Sequence, residues 1–240
     1  MDMNSTTSVL SPPKDRASIH FSHTGILDLS EPYDLYVIEG ADGLGKTTLA
    51  HAIVDSLNKD YGDVAKCVRF PDSPSIRKAV KSELSFFERE KAQDDALNEI
   101  ISYNFTCDKP TIYIIDRFFL SNIVYRHLTD TYIPSSRNLI GVPVPNVTYL
   151  LSRTGGGVVE GVEGDYLDKL AVKESSRLNK LFMAYSVTYS EYSDYLGQVS
   201  RFAINDDVEA LDYLYTIVKD IENKSSTLLS LVGNVTSYTD

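Results

Sequence analysis

The sequence is poor in positive charge and in residues that bind metals. It has 23 Lys and Arg against 34 Asp and Glu, which gives a net charge of −11 and a pI near 4.8. Nucleic acids and anionic membranes attract proteins with excess Lys and Arg, so the composition argues against both as partners. Four histidines form no cluster, and Cys67 and Cys107 lack metal-ligand spacing. We interpret both cysteines as buried thiols of a reducing compartment.

Long apolar runs are also missing. None approaches the roughly 20 residues of a membrane-spanning helix, and the N-terminus lacks the charged-then-apolar pattern of a signal peptide. Residues 1–33 carry Ser, Thr and Pro with few large apolar side chains, so we expect a flexible extension there. We predict a folded domain over 34–222, a C-terminal tail over 223–240 with a turn of helix, and a cytoplasmic location.

A strand, a glycine-rich turn and a helix follow one another in residues 35–57. The apolar run 35–38 predicts a buried strand, and the following residues match G-x-x-x-x-G-K-[ST]. In this motif backbone N–H groups surround phosphate oxygens, the lysine reaches the outer phosphates and the hydroxyl binds Mg²⁺. The helix N-terminus adds its dipole. We therefore predict a nucleotide-phosphate site formed by Gly40, Gly43, Leu44, Gly45, Lys46, Thr47 and Thr48.

Strand and helix patterns alternate through the rest of the chain. Apolar runs at 65–70, 111–115, 145–151 and 202–204 predict strands, with helical spacing at 76–105, 168–196 and 207–219. This alternation predicts an α/β fold of the P-loop NTPase type, a doubly wound parallel sheet with helices on both faces. Asp116 and Arg117 would then lie at the carboxyl edge of the sheet, beside the phosphate site. Residues 154–165, TGGGVVEGVEGD, have the composition of a mobile lid.

The phosphate motif alone leaves ATPases, GTPases, kinases and transport motors open. The N-K-x-D segment with which GTPases read guanine is missing from the sequence. A lid beside a phosphate loop suits phosphoryl transfer between two bound nucleotides, because water must be kept from competing with the acceptor. This combination favours a nucleotide kinase.

Several segments together resemble the thymidylate kinase family of P-loop nucleoside monophosphate kinases. They are IEGADGLGKTT, RFP at 69–71, DRFFLSNIVY at 116–125, VPNVTYLL at 144–151 and LDKLAVKES at 167–175. Their order and rough spacing extend over residues 35–221. The resemblance implies transfer of the γ-phosphoryl group of ATP to a deoxynucleoside monophosphate, most simply dTMP, and a homodimer.

The resemblance also implies roles on the side of ATP and Mg²⁺. Lys46 would bridge the donor phosphates, and Thr47 and Asp116 would organise Mg²⁺. In the family either the lid or the P-loop supplies arginine to the transferring phosphate. Here the P-loop has Leu44, Arg153 precedes the lid, and Lys169 stands where an arginine is common. A lysine lacks the planar fork of arginine, so Arg153 is the other candidate for this role.

The resemblance further implies roles for residues that would bind the acceptor nucleotide. Asp42 would meet the 3′-hydroxyl, Arg117 would bind the acceptor phosphate, and Tyr125 would occupy the place of a ribose 2′-hydroxyl and so favour deoxyribose. The pocket would be lined by Phe70, Ser121 and Asn122. The family often has an arginine after the Phe-Pro pair; Asp72 stands there, and Arg69 and Arg77 are both candidates to replace it.

The base-reading helix of the family does not align cleanly with this sequence. The insert between Phe70 and Asp116 is short, and Phe86, Phe87 and Arg89 are candidates for base recognition at a different offset. Another pyrimidine, a modified base or broad specificity therefore stays open beside thymine.

Two other functions stay open as well. A deoxynucleoside kinase needs a carboxylate base near the acceptor hydroxyl, and Glu39 is a candidate for that base. A nucleotide-binding protein of this fold with little turnover is the third hypothesis, because the lid lacks arginine.

Overall fold

Five parallel strands form the central sheet of the protein. The computed structural model describes residues 33–105, 108–153, 169–170, 173–187 and 190–236. The strands are β1 (Tyr33–Gly40), β2 (Ala65–Arg69), β3 (Thr111–Asp116), β4 (Val147–Arg153) and β5 (Gln198–Ile204). The strand order is β2-β3-β1-β4-β5, and all four pairings are parallel.

Eight α-helices are described beside two short 3₁₀-helices at Ser136–Leu139 and Ala210–Tyr213. The helices are α1 (Lys46–Tyr61), α2 (Pro74–Lys81), α3 (Phe86–Ser102), α4 (Phe119–Leu128), α5 (Ser175–Val187), α6 (Ser190–Ser193), α7 (Leu214–Lys224) and α8 (Ser226–Thr236). Helix α1 packs on β1, β2 and β3 together with α7 and α8, whereas α4 packs on β1 between α3 and α5. Helices therefore cover both faces, and the predicted fold class is confirmed.

The two strands at the centre are buried along almost their whole length. All six residues of β3 are buried, as are the last six residues of β1. Such continuous apolar runs are typical of parallel strands covered on both faces. The strands β2 and β3 lie on one side of β1, and β4 and β5 lie on the other. The side on which the chain adds strands therefore changes at β1. Ligands of open α/β sheets bind at such a switch point, outside the carboxyl ends of the strands.

Several helical regions differ from the sequence prediction. The helix expected over 207–219 begins only at Leu214, after the 3₁₀-helix at Ala210–Tyr213, and ends at Lys224. Within the region expected over 168–196, α5 and α6 are separate helices. The single helical region predicted over 76–105 is divided into α2 and α3, because Glu88 accepts hydrogen bonds from the backbone N–H (3.1 Å) and hydroxyl (2.6 Å) of Ser85 and so starts a new helix. At the C-terminus α8 is longer than the single turn that we expected, and it buries Leu228 and Leu229.

The remaining predictions concern the two cysteines, the N-terminal residues, the lid and membrane-spanning helices. Cys67 is half-buried on β2, and burial raises the pKa of its thiol to about 11, so the thiol is protonated at neutral pH. Cys107, residues 1–32 and the predicted lid over 154–165 lie outside the described residues. Among the helices that are described, none has the length and apolar character needed to cross a membrane.

Candidate functional site

The glycine-rich turn joins β1 to α1 as the motif requires. Gly40, Gly43 and Gly45 have positive φ angles of 141°, 75° and 73°. A Cβ atom on Gly40 would lie 2.3 Å from the carbonyl oxygen of Leu151, so only glycine fits there. Lys46 is 4% exposed, and its Nζ donates a hydrogen bond to the carbonyl of Ala41 within the same loop. The loop is thus closed over its own lysine.

A cavity of about 400 Å³ opens on one side of this loop, and we call it the P-loop cavity. Its walls come from the loop, from the end of β4 and from the segment after β5. Arg153 lies there with Nη2 3.5 Å from a carboxylate oxygen of Asp206, and Asn179 of α5 binds both the N–H and the carbonyl of Arg153. The lining residues are Gly43, Leu44, Gly45, Thr48, Arg153, Ile204, Asn205, Asp206, Glu209, Ala210 and Leu211.

Asp116 and Thr47 meet at the carboxyl edge of the sheet. Asp116 is fully buried, and its Oδ2 accepts a hydrogen bond of 2.6 Å from the Thr47 hydroxyl and lies 3.5 Å from Nε of Arg69. The other carboxylate oxygen, Oδ1, is buried without a hydrogen-bond partner. A buried carboxylate oxygen without a partner is costly unless a cation occupies the site, so this pair fits Mg²⁺. Within the described residues no group of three or more acidic, His or Cys side chains could hold a metal ion.

A second cleft lies on the other side of the loop, and we call it the Arg117 cleft. Its walls are mostly apolar, with basic side chains from β2, α2 and the turn after β3. The lining residues are Asp42, Arg69, Phe70, Pro71, Arg77, Val80, Lys81, Gln93, Ala96, Ile100, Arg117, Phe118, Ser121, Asn122 and Tyr125. Four of these are Arg or Lys and one is Asp, so the cleft is a local basic region in an acidic protein.

Asp42 joins the phosphate loop to this cleft. Its two carboxylate oxygens bind Nη2 of Arg117 and the hydroxyl of Tyr125, while the Arg117 guanidinium lies 5.9 Å from the centre of the Tyr125 ring. The structure therefore brings together the three residues expected at the acceptor. Gly43, the next residue, lines the opposite cavity.

Glu39 organises the turn that carries Arg117. It is fully buried and accepts hydrogen bonds from the N–H of Phe118 (2.9 Å) and from the N–H (3.0 Å) and hydroxyl (2.5 Å) of Ser121. Burial raises the pKa of Glu39, although these hydrogen bonds and the charge of Arg117 act in the opposite direction. A carboxylate committed in this way to the start of α4 is not placed to accept a proton from an acceptor hydroxyl, which was its role in the deoxynucleoside kinase hypothesis.

The predicted pocket residues line the cleft, but their polar groups are used inside the protein. Phe70 is buried against Tyr103 and Phe118, Ser121 binds Glu39, and the amide of Asn122 binds Gln93 and Arg126. Sequence reasoning missed Gln93, which lines the same cleft from α3. Helical periodicity gives the face of α3 that packs inward but not which polar residue on it meets a ligand.

The three candidates for base recognition, Phe86, Phe87 and Arg89, are not among the residues that line the Arg117 cleft. Phe86 and Phe87 are 49% and 80% exposed at the start of α3. Arg89 donates to the carbonyls of Thr129 and Leu84 instead of lining the cleft. Helix α3 begins as a separate helix after Ser85, and the residues that face the cleft lie further along it.

The two basic residues that flank the predicted lid differ in environment. Arg153 lines the P-loop cavity, whereas Lys169 is exposed in a short helical segment. Residues 154–168 between them lie outside the described residues.

Comparison with solved structures identifies the fold. The thymidylate kinase of Ehrlichia chaffeensis superposes with a TM-score of 0.53 over 79% of this chain and 98% of its own, at 19% sequence identity. The chain shares the fold of that kinase. The thymidylate kinase of Candida albicans aligns over 81% of this chain and 93% of its own at 18% identity, with a TM-score of 0.49. Neither a protein-family model nor a curated protein matches the sequence.

Proposed function

We propose that the protein is a deoxynucleoside monophosphate kinase that transfers the γ-phosphoryl group of ATP to dTMP and forms dTDP. One observation carries this proposal: the phosphate loop separates two cavities, and its neighbouring residues Asp42 and Gly43 line different ones. A protein that only hydrolysed ATP would have no use for the second, basic cleft. Shared fold with a thymidylate kinase supports the same function.

The P-loop cavity is proposed to bind ATP. Glycine N–H groups and the N-terminus of α1 would bind its phosphates, and Lys46 would leave Ala41 for the phosphate oxygens. Thr47 and Asp116 would hold Mg²⁺, which supplies charge neutralisation at the phosphates when bound. Arg153 is the candidate to replace the missing lid arginine, since it lines this cavity.

The Arg117 cleft is proposed to bind the monophosphate. Arg117 would exchange Asp42 for the acceptor phosphate, and Asp42 would turn to the 3′-hydroxyl of the sugar. Tyr125 would exclude a 2′-hydroxyl. Arg69 and Arg77 both line the cleft, and Arg77 is held by the carbonyls of Pro71 and Asp72. Such placement and neutralisation are most of what phosphoryl transfer requires from a protein.

The test is a coupled assay of ADP formation with ATP and Mg²⁺ over all ribonucleoside and deoxynucleoside monophosphates, with thymidine as a further acceptor. We expect turnover with dTMP, weaker turnover with ribonucleotides and none with thymidine. ³¹P NMR of the product distinguishes dTDP formation from hydrolysis of ATP.

Three results would contradict the proposal in different ways. Phosphorylation of thymidine but not dTMP would identify a deoxynucleoside kinase. Equal use of ribo and deoxy acceptors would remove the role of Tyr125. Tight binding of ATP or dTMP without transfer at high enzyme concentration would favour a binding protein with little turnover.

Assembly and location form a separate part of the proposal. We propose a cytoplasmic homodimer, as expected from the sequence. Light scattering after size-exclusion chromatography measures the mass in solution, and the mass of a monomer, 26.8 kDa, would contradict the dimer.

A further inference from the structure

Gln93 presents one end of its amide to the Arg117 cleft. The side chain is 3% exposed in the cleft wall, and its Oε1 accepts a hydrogen bond of 2.9 Å from Nδ2 of Asn122. Its Nε2 has no hydrogen-bond partner among the described residues, yet it is not sealed from solvent. The nitrogen end is therefore the end that a bound molecule would meet.

The orientation of this amide is fixed by partners that can act in one sense only. Oδ1 of Asn122 accepts from Nε of Arg126 (2.8 Å), and a guanidinium can only donate. Nδ2 of Asn122 also donates to the backbone carbonyl of Gln93 (2.9 Å), which can only accept. A flip of either amide would place two donors or two acceptors opposite each other and leave buried polar groups without hydrogen bonds.

Arg126 is itself held firmly. It is 1% exposed, and it donates to Oδ1 of Asp94 (2.6 Å) and to the carbonyl of Tyr132 (3.0 Å). A chain of hydrogen bonds thus runs from Arg126 through Asn122 to Gln93, and it ends at an N–H donor. Such a chain polarises its members in the same direction.

The rest of the α3 wall is apolar. Ala96 and Ile100 line the cleft beside Gln93, whereas α2 contributes Val80 together with the basic Arg77 and Lys81. Facing them on α4, the hydroxyl of Ser121 is used by Glu39 and the amide of Asn122 by its two partners. A base edge that meets α3 therefore meets an apolar surface with one fixed donor.

We propose that Gln93 is a specificity-determining residue that donates a hydrogen bond from Nε2 to the C4 carbonyl oxygen of the base, the position at which cytosine carries its amino group. The cleft then selects oxo pyrimidines, thymine and uracil, over the amino pyrimidine cytosine, whose amino group would set donor against donor. Sites built around such a bond reject the analogue that cannot form it. This inference rests on the proposed function and names the feature of the acceptor that the cleft recognises.

The experiment compares dUMP with dCMP, which share sugar, phosphate and ring size. We expect the wild type to favour dUMP in kcat/KM. Gln93→Met keeps the length and removes the donor, so it should lower the dUMP to dCMP ratio about tenfold, as for one lost hydrogen bond. Gln93→Glu offers an acceptor instead and should lower the ratio further. Gln198→Met, at an exposed position of β5, is the control and should leave the ratio unchanged.

The outcomes separate this inference from the kinase proposal. Circular dichroism and thermal unfolding establish which variants are folded, and either folded variant suffices. Turnover with an unchanged dUMP to dCMP ratio in a folded Gln93 variant overturns the role of Gln93 and leaves the kinase intact, as does equal use of both nucleotides by the wild type. If no monophosphate is phosphorylated, calorimetric binding of dUMP and dCMP to wild type and variants tests base recognition alone, and equal affinities overturn it.

Discussion

At the scale of single residues, Arg117 is held by contacts on both its backbone and its side chain. Its backbone has a positive φ of 71°, and its N–H donates to the carbonyl of Ile38. Its side chain binds Asp42. A positive φ is unfavourable for a residue other than glycine, and these contacts hold Arg117 in that conformation at the edge of the sheet. A phosphate entering the cleft has to compete with Asp42 for a guanidinium that is already in place.

Arg117→Lys tests whether the planar guanidinium is needed. A lysine keeps the charge but loses the paired donors that match a phosphate, so we expect the KM for dTMP to rise about tenfold with little change in the KM for ATP. Arg137→Lys, at an exposed position, is the matched control. Steady-state kinetics with each substrate varied in turn measures both constants. An equal rise in both KM values would indicate general damage to the site.

Glu39 gives a prediction about pH. Burial raises its pKa above the ordinary value of 4.5, so between 4.5 and the raised pKa the folded state holds more protons than the unfolded state. The free energy of unfolding therefore falls as the pH rises through this window, and the stabilisation is complete only below it. In urea denaturation the wild type should lose stability relative to Glu39→Gln from pH 4.5 upward. A relative gain over the same range would show that the hydrogen bonds dominate.

Sequence reasoning at this scale could predict placement where the residues are contiguous. The position of Gly40 to Thr48 between β1 and α1, and of Asp116–Arg117 at the end of β3, follows from the fixed spacing of a glycine-rich turn and a strand end along the chain. Gln93 and Arg126 could not be predicted, since their hydrogen bonds join two helices and depend on how those helices pack. Buried polar residues on an amphipathic helix have no local pattern that distinguishes them from exposed ones.

At the scale of elements, the close approach of β1 to β4 depends on Gly40. A Cβ there would strike the carbonyl of Leu151, and φ is also positive. Gly40→Ala should lower the free energy of unfolding by about 3 kcal/mol. Gly62 also has a positive φ, of 75°, but an added Cβ would meet nothing within 4 Å, so Gly62→Ala tests backbone strain without a clash and should cost about 1 kcal/mol. Urea denaturation compares the two, and equal losses would show that the clash is relieved.

Helix α2 forms one wall of the Arg117 cleft without burying any residue of its own. Glu99 of α3 holds its start by accepting hydrogen bonds from the N–H groups of Asp72 (2.6 Å) and Ser73 (2.8 Å). A carboxylate at a helix N-terminus is stabilising. The division into α2 and α3 was not predicted, because apolar spacing continues across the break and only the Ser85–Glu88 pair indicates it.

Glu99→Ala should therefore loosen this wall. We expect a several-fold rise in the KM for dTMP, unchanged KM for ATP and a loss of about 1 kcal/mol in stability, as for a lost helix cap. Asp95→Ala, on the exposed side of the same helix, is the control. Kinetics and urea denaturation measure both effects, and a change in the KM for ATP alone would contradict the role given to α2.

At the scale of the whole molecule, the strand order places the two cavities on either side of one loop. The alternation of strands and helices was enough to predict the parallel sheet, and β1 at its centre brings the phosphate loop to the switch point. The separation of the cavities was not predictable in detail, because it depends on side chains from β5 and α3 that lie far apart in sequence. Since different parts of the loop line each cavity, donor and acceptor are expected to bind separately.

Thermal unfolding tests this independence directly. A ligand at a hundred times its Kd adds about 2.7 kcal/mol of stability, so a non-hydrolysable ATP analogue and dTMP should each raise Tm by about 5 to 10 °C. Lys46→Ala removes the lysine of the phosphate loop and should reduce the shift with the ATP analogue while keeping the shift with dTMP; Arg117→Lys should do the reverse. Lys59→Ala, exposed on the same helix as Lys46, should change neither shift. If Lys46→Ala abolished both shifts, we would conclude that the two cavities form a single binding site. With two separate sites, removal of the phosphate-loop lysine should affect only the binding of the ATP analogue.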